Sequence, residues 1–237
     1  MTLPVAVLAG GLATRLQPIT ERVPKSLIDV CGMPFAVHQI ELLRRHGLTD
    51  ITFVVGHLGD MIREALGDGA RWGVKLRYVF DGPTRLGTGG AMRAALPSLD
   101  DPFLVVYGDS YLECDYADIQ REFLASGKAG LMTVYRNDDR FDRSNVLYSD
   151  GRVVRYDKND RTPDMRHIDY GLGAFRKSAF DGPAADQAFD LVAVYQRLLA
   201  NDDLAGYEVS QRFYEIGSPE GLEATRAHLA AKRVSAR

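Results

Sequence analysis

Val5-Ala6-Val7-Leu8-Ala9-Gly10-Gly11-Leu12-Ala13-Thr14-Arg15-Leu16 is the stretch on which the fold turns. Its first four residues are apolar and partly β-branched, which predicts a short buried strand. Residues 9–18 follow as a loop. Paired glycines directly after a strand let the main chain turn tightly and bring its N–H groups close to a ligand. Such N–H groups form a concavity suited to phosphate, and Arg15 adds a charge-assisted fork for phosphate oxygens. The loop is neither a Walker A loop, which needs Gly-Lys-Ser/Thr, nor the dinucleotide fingerprint Gly-x-Gly-x-x-Gly. By itself it reads equally as a glycine turn beside a solvated arginine.

Outward from this loop, apolar runs alternate with helical periodicity. Phe35–Arg45 has helical spacing with Gly47 as its stop, and residues 60–66 form a second helix ended by Gly67. Residues 51–55, Lys75–Phe80 and Phe103–Tyr107 read as strands, residues 90–96 and 116–124 as helices. This alternation predicts βαβ units: an α/β, Rossmann-like, doubly wound and mainly parallel sheet with helices on both faces. Ligands of such sheets bind beyond the carboxyl ends of the strands. The loops at residues 9–15, 82–90 and 108–111 are therefore the candidate site.

After Gly130 the pattern changes. Residues 131–135, 145–148, 153–157 and 170–175 are strand-like, and Asp150-Gly151 marks a hairpin. A helix at 191–199, a strand at 207–216 and a helix at 219–229 complete the reading. Ser218 is the N-cap of that last helix and Gly221 a weak point within it. We expect one domain over residues 1–237, with a nucleotide-binding half at about 1–130 and a second functional lobe at about 131–237.

The 237 residues are 46% apolar and 26% charged, ordinary for a globular domain with its own core. The net charge of −3 disfavours nucleic acid as a partner, so any anion site must be built locally. No run approaches the roughly 20 apolar residues of a membrane helix, and none resembles a signal peptide. Cys31 and Cys114 have no metal-ligand spacing and read as reduced thiols in a cytoplasmic protein. His38, His46, His57, His167 and His228 form no ligand or nucleophile pattern, and Ser110 lacks the Gly-x-Ser-x-Gly elbow of a hydrolase. Trp72 reads as packing, and Lys232–Arg237 as a frayed basic tail.

Three further segments give the opening loop its context: Pro24-Lys25-Ser26-Leu27, Gly87-Thr88-Gly89-Gly90 and Gly108-Asp109. Together with Leu8–Leu16, in this order and spacing, they resemble the sugar-1-phosphate nucleotidylyltransferases over nearly the whole chain. The short single-domain members, heptose 1-phosphate guanylyltransferases and N-acetylmuramate 1-phosphate uridylyltransferases, are the nearest in pattern. The resemblance implies a Rossmann-like sheet with a sugar-binding lobe. It also implies a reaction in which a sugar 1-phosphate oxygen attacks the α-phosphorus of a nucleoside triphosphate. Two anions must meet, so cations and N–H donors supply most of the stabilisation.

The resemblance also assigns roles. Leu8, Ala9, Gly10, Gly11 and Thr14 cradle the triphosphate, Arg15 holds the departing pyrophosphate end, and Lys25 reaches the α-phosphate. Gly82, Gly87, Thr88 and Gly89 lie beside the nucleobase, whose identity the sequence does not name. Asp109 suits Mg²⁺, which prefers one or two carboxylates plus substrate phosphates and water. Glu215, in Glu215-Ile216-Gly217-Ser218-Pro219, stands where the family has a second metal-binding Asp, and its extra methylene makes contact through water an option. Lys158 and Asp157 resemble the family's sugar-phosphate segment, and Asp169 with Gly171 the segment lining the sugar.

Three departures keep other readings open. Ala13 replaces the glycine usual before Thr-Arg, and Glu215 replaces Asp, which leaves room for a regulatory protein that binds a nucleotide sugar without turnover. Asp169 and Tyr170 replace the usual Asn and Ala, which leaves room for a non-sugar phosphate acceptor. Arg136, Arg140 and Arg143 with Asp138, Asp139 and Asp142 form a mixed-charge loop, read as solvated or as a lid over the sugar. Oligomeric state is not legible.

Overall fold

A computed structural model of the chain describes residues 2–11, 23–56, 58–82, 85–182 and 187–235. In chain order the strands and helices are β1 (Val5–Leu8), β2 (Asp29–Val30), β3 (Met33–Pro34), α1 (Phe35–Arg45), β4 (Asp50–Val55), α2 (Gly59–Leu66), β5 (Lys75–Phe80), α3 (Gly87–Ala95), β6 (Phe103–Tyr107), β7 (Ser110–Tyr111) and α4 (Tyr116–Ser126). The second half adds β8 (Gly130–Arg136), β9 (Val146–Ser149), β10 (Arg152–Tyr156), β11 (His167–Phe175), α5 (Leu191–Ala200), β12 (Leu204–Val209), β13 (Tyr214–Glu215) and α6 (Pro219–Ser235).

Strand β1 lies at the centre, hydrogen-bonded in parallel to β4 on one side and β6 on the other, and β5 extends the parallel run beyond β4. The chain therefore winds outward from β1 through β4 to β5, then returns to the far side of β1 as β6. That reversal makes the carboxyl end of β1 the switch point where open α/β sheets bind ligands. Beyond β6 the sheet becomes mixed. β11 runs antiparallel to β6 and β8, while β12 runs parallel to β8. The two halves of the chain thus share one sheet.

Alternate residues of the central strands face opposite layers. Val5, Val7, Ile51, Phe53, Leu104 and Val106 pack with Val37 and Ile40 of α1, Ile62 of α2 and Phe123 of α4. Ala6, Val54, Phe103 and Val105 pack with Met92 of α3 and Val194, Tyr195 and Leu198 of α5. Each fully buried aliphatic side chain contributes about 1.5–3 kcal/mol, and strands apolar on both faces are possible only with helices on both. The doubly wound expectation is met.

Most elements lie where the sequence places them; the exceptions have local causes. The Gly-Thr-Gly-Gly segment is the first turn of α3 and not a loop. Glycine is a poor helix former, but here the N–H groups of Gly89 and Gly90 donate to Phe189 O at 2.9 and 3.1 Å. Residues 207–216 are not one strand. They divide into β12 and β13, which belong to different sheets. Residues 232–235 are not frayed: α6 runs through Ser235, with Lys232 paired to Glu113 and Arg233 donating to Cys31 O. Asp150 and Gly151 both take positive φ, 50° and 76°, in the hairpin between β9 and β10.

Candidate active site

The carboxyl ends of β1, β5 and β6 open into a cavity of about 350 Å³. Leu8, Ala9, Gly10 and Gly11 form one wall, Gly87, Thr88 and Ala91 of α3 another, and Lys25, Gly108 and Asp109 its far end. A second, wider cavity of about 660 Å³ lies over β11 and is lined by Lys158, Asp169, Tyr170, Gly171, Glu215 and Arg143, among others. Lys25, Tyr107 and Asp109 line both. The two chambers meet at that trio.

Asp109 is placed by main-chain contacts on every side. Gly108 N donates to Leu8 O at 2.9 Å, which binds the end of β6 to the end of β1. A side chain at Gly108 would sit 2.7 Å from that carbonyl, so only glycine permits the approach. Buried Gln39 of α1 donates its Nε2 to Tyr107 O at 2.8 Å and Ser110 O at 2.7 Å, gripping the turn around Asp109. Ile216 N donates to Asp109 O at 2.9 Å, and β7 pairs antiparallel with β13. Through that two-stranded ribbon, residue 215 comes to residue 109.

The Lys25 ammonium lies 2.8 Å from Asp109 Oδ2, the two side chains being 18% and 32% exposed. Lys25 starts a single turn of 3-10 helix, Lys25–Leu27, behind Pro24. Glu215 accepts from Gly217 N and from Ser218 Oγ, the latter at 2.7 Å. Ser218 Oγ accepts in turn from Gly221 N at 3.0 Å, capping α6 as its sequence predicts. Gly221 is no accidental weak point, because a side chain there would collide with the Glu215 carboxylate. A Cβ on Gly217 would lie 2.6 Å from Glu215 Oε2 and 3.3 Å from Asp109 Oδ2, so both carboxylates border one space. Among the described residues no three-ligand protein cluster for a metal exists. Two hard carboxylates beside a phosphate site nonetheless fit Mg²⁺, which takes its remaining ligands from substrate and water.

In the wider chamber the pairing of β11 with β8 shifts between Asp169 and Gly173. An irregularity of this kind re-aims side chains. Gly171 takes φ +96°, and a Cβ there would come within 3.3 Å of the Tyr107 ring. Asp169 accepts from Tyr156 Oη at 3.1 Å and Gly171 N at 3.1 Å. Lys158 Nζ stands 5.9 Å from the ring centroids of Tyr107 and Tyr156. Burial pushes the Tyr107 hydroxyl well up, and Asp169, Asp109 and Asp190 add to it, so the shared wall carries a neutral phenol. The mixed-charge loop is pinned. Asn137 Nδ2 donates to Asp142 O at 2.5 Å and Ser144 Oγ at 3.2 Å, and Phe141, Asp142 and Arg143 line the chamber.

Of the residues singled out from sequence, Leu8, Ala9, Gly10, Gly11, Lys25, Gly87, Thr88 and Asp109 line the first chamber. Lys158, Asp169, Gly171 and Glu215 line the second. Thr14, Arg15 and Ala13, with His57, lie outside the described residues. Three others stand apart from the cavity walls. Asp157 caps a turn, accepting from Asn159 N and Asp160 N at 2.9 Å each. A Cβ at Gly89 would collide with the Phe189 ring, so this glycine serves packing. Gly82 is exposed at positive φ.

Sequence reasoning missed Gln39, Asp81, Arg85, Tyr107 and Asp190. Asp81 follows β5 directly, so the strand-end rule could have found it. Asp190 had no such signal: it meets Thr88 from 102 positions away. Its Oδ1 lies 3.3 Å from Thr88 N, while Leu191 N donates to Thr88 Oγ1 at 2.8 Å, so α3 and α5 cap each other.

The model of the nucleotidyl transferase family matches residues 5–144, from β1 through the mixed-charge loop. N-acetylmuramate alpha-1-phosphate uridylyltransferase of Neisseria meningitidis is 39% identical over 232 residues, 93% of this chain and 96% of that protein. Mannose-1-phosphate guanyltransferase beta-B of Xenopus laevis is 26% identical over 220 residues. The match takes in 90% of this chain and 61% of that one, so the chain spans about three fifths of such longer relatives. HddC from Yersinia pseudotuberculosis, solved with GMP-PN, superposes with a TM-score of 0.78 at 24% identity, covering 96% of this chain and 100% of that one. The fold is shared.

Proposed function

The chain belongs to the nucleotidyl transferase family, and from that premise we propose that it transfers a nucleotidyl group from a nucleoside triphosphate to a sugar 1-phosphate. The products are an NDP-sugar and pyrophosphate. The observation that carries this reading is the meeting of two chambers at Lys25, Tyr107 and Asp109. A nucleotide in the first and a sugar phosphate in the second bring their phosphates together at Lys25, the one cation that lines both chambers among the described residues.

The chemistry is an in-line displacement. An oxygen of the sugar 1-phosphate forms a bond to the α-phosphorus, the bond from that phosphorus to the bridging oxygen breaks, and pyrophosphate leaves with the electron pair. The N–H groups of Gly10 and Gly11 and the Lys25 ammonium draw the two anions to one place. Arg15, by resemblance, takes the leaving end with Thr14 beside it. Lys158 balances the sugar phosphate, while Asp169 accepts a sugar hydroxyl against a floor opened by Gly171. Asp109 would hold Mg²⁺, with Glu215 as its outer neighbour through water, since both Glu215 oxygens already accept from Gly217 and Ser218. When bound, the ion neutralises phosphate charge that would otherwise keep the substrates apart. The Lys25–Asp109 pair prepares both groups: each neutralises the other until phosphate and cation divide them.

Among the described residues no helix is long and apolar enough to cross a membrane. Cys31 and Cys114 are free thiols, which suits a reducing cytoplasm. The test is pyrophosphate release with Mg²⁺ across a panel of nucleoside triphosphates and sugar 1-phosphates. Lys25→Met should lower kcat by about 100-fold to 1000-fold, the usual effect of deleting one group that stabilises developing charge. Silence of the wild-type protein across the whole panel refutes the reading.

A further inference from the structure

Asp81 stands where β5 ends and lines the nucleotide chamber. Its carboxylate is half-buried, and among the described residues no other residue pairs with it. Burial pushes its pKa up from the ordinary aspartate value. An acid desolvated without a partner costs stability, and one kept beside a ligand chamber is poised for donors that arrive with the ligand.

The neighbouring main chain leaves the carboxylate bare. A Cβ on Gly10 would lie 3.3 Å from its Oδ2, and one on Gly56 would lie 3.2 Å from both oxygens. Glycines at two adjoining strand ends therefore keep open a face that any larger residue would cover. What reaches that face is set by charge. Triphosphate is repelled by a carboxylate and is drawn instead toward Lys25. The space between is bounded by Leu8, Val54, Leu86 and Ala91, an apolar slot that suits a flat ring.

In α3 the N–H groups of Gly89 and Gly90 are taken by Phe189 O and that of Thr88 faces Asp190, so these three do not read the ring. Among the described residues, Asp81 is a carboxylate of this lining that no other residue pairs with, so it is an acceptor open to the ring. An ionised carboxylate only accepts hydrogen bonds. Uracil and thymine offer one N–H between two carbonyls, and cytosine and adenine offer an amino group beside a ring-nitrogen acceptor. Guanine alone offers two adjacent donors, N1–H and the N2 amino group, matching both carboxylate oxygens.

Resting on the nucleotidyl-transfer reading, we propose that Asp81 selects guanine, so that the nucleotide substrate is GTP. Arg85 lines the same chamber and brings donors for the O6 and N7 acceptors of that base.

The test compares GTP, ITP, dGTP, UTP, dTTP, CTP and ATP by thermal shift and by pyrophosphate release, with wild-type protein and Asp81→Asn. Guanine selection predicts that wild type favours GTP over UTP by about 10-fold to 100-fold. ITP, lacking the N2 amino group, should fall by about tenfold, and dGTP should stay near GTP. Asp81→Asn presents one acceptor and one donor, so GTP should weaken and UTP improve. A wild-type preference for a pyrimidine overturns the inference and leaves nucleotidyl transfer standing. Loss with dGTP but not ITP also overturns it, because Asp81 would then hold the ribose hydroxyls. GTP binding that Asp81→Asn redirects, without pyrophosphate from any pair, upholds guanine selection and sinks the transferase reading.

Discussion

Gln39 carries no chemistry in the proposed reaction, yet it holds the turn around Asp109, the proposed metal ligand. Its single amide nitrogen satisfies the carbonyls of Tyr107 and Ser110 on either side of Asp109. Gln39→Met keeps the volume and removes both donors. Leaving buried carbonyls unpaired costs about 1–3 kcal/mol, so denaturant unfolding should register a loss of that size. Because Asp109 loses its grip, kcat should fall as well. Unchanged stability would show that the carbonyls find other donors. Gly171 is the corresponding residue in the proposed sugar chamber. At φ +96°, Gly171→Ala should cost about 1–3 kcal/mol of backbone strain. Its Cβ presses on the Tyr107 ring, so KM for the sugar phosphate should rise more than KM for the nucleotide. Equal rises in both would remove Gly171 from the sugar side.

At the scale of elements, α6 is the strut that steadies Glu215. His228 stacks on Tyr214 with ring centroids 3.9 Å apart, next to Glu215 in β13. His228 also meets Glu113 at 2.7 Å, and Lys232 pairs with the same carboxylate. Burial alone would raise the Glu113 carboxyl. The hydrogen bonds from Lys232 and His228 outweigh it and hold the group below its ordinary value. A depressed acid stabilises the fold above its unfolded pKa, about 4.3, and the contribution disappears as pH falls through the lower folded value. As pH falls below about 4.3, acid unfolding should therefore be shallower in Glu113→Gln than in wild type. Titration curves of equal slope would mean that α6 is held by its apolar contacts with Ile216 and Val30 alone.

At the scale of the whole molecule, the shared sheet sets the two chambers side by side. β6 borders the proposed nucleotide chamber, β11 the proposed sugar chamber, and the two strands pair directly. Both substrates can be held at once across Lys25, and no covalent carrier is needed between them. Initial-rate plots should therefore intersect, and pyrophosphate should not exchange into the triphosphate without sugar phosphate. Parallel lines, the kinetic mark of a covalent intermediate, would contradict this arrangement.

Much of the design was legible along the chain, because its signals are local. Apolar runs such as Val5–Leu8 and Phe103–Tyr107 announced strands buried on both faces, and Gly10-Gly11, Lys25 and Asp109 marked residues that line the first chamber. Glu215 could be named from its motif, but not how it reaches Asp109. That depended on the β7–β13 ribbon, two residues per strand and too short for any periodicity. Gln39 looked like one more helical polar residue, and Asp190 like one more cap. By itself the sequence determined the doubly wound sheet, since hydrophobic period and glycine placement act on near neighbours. Only the tertiary structure decided which groups are buried without partners, and so which ones a ligand must satisfy. Burial and pairing are set by residues distant in the chain, and Asp81 beside Gly10 and Gly56 is the place where that difference reaches function.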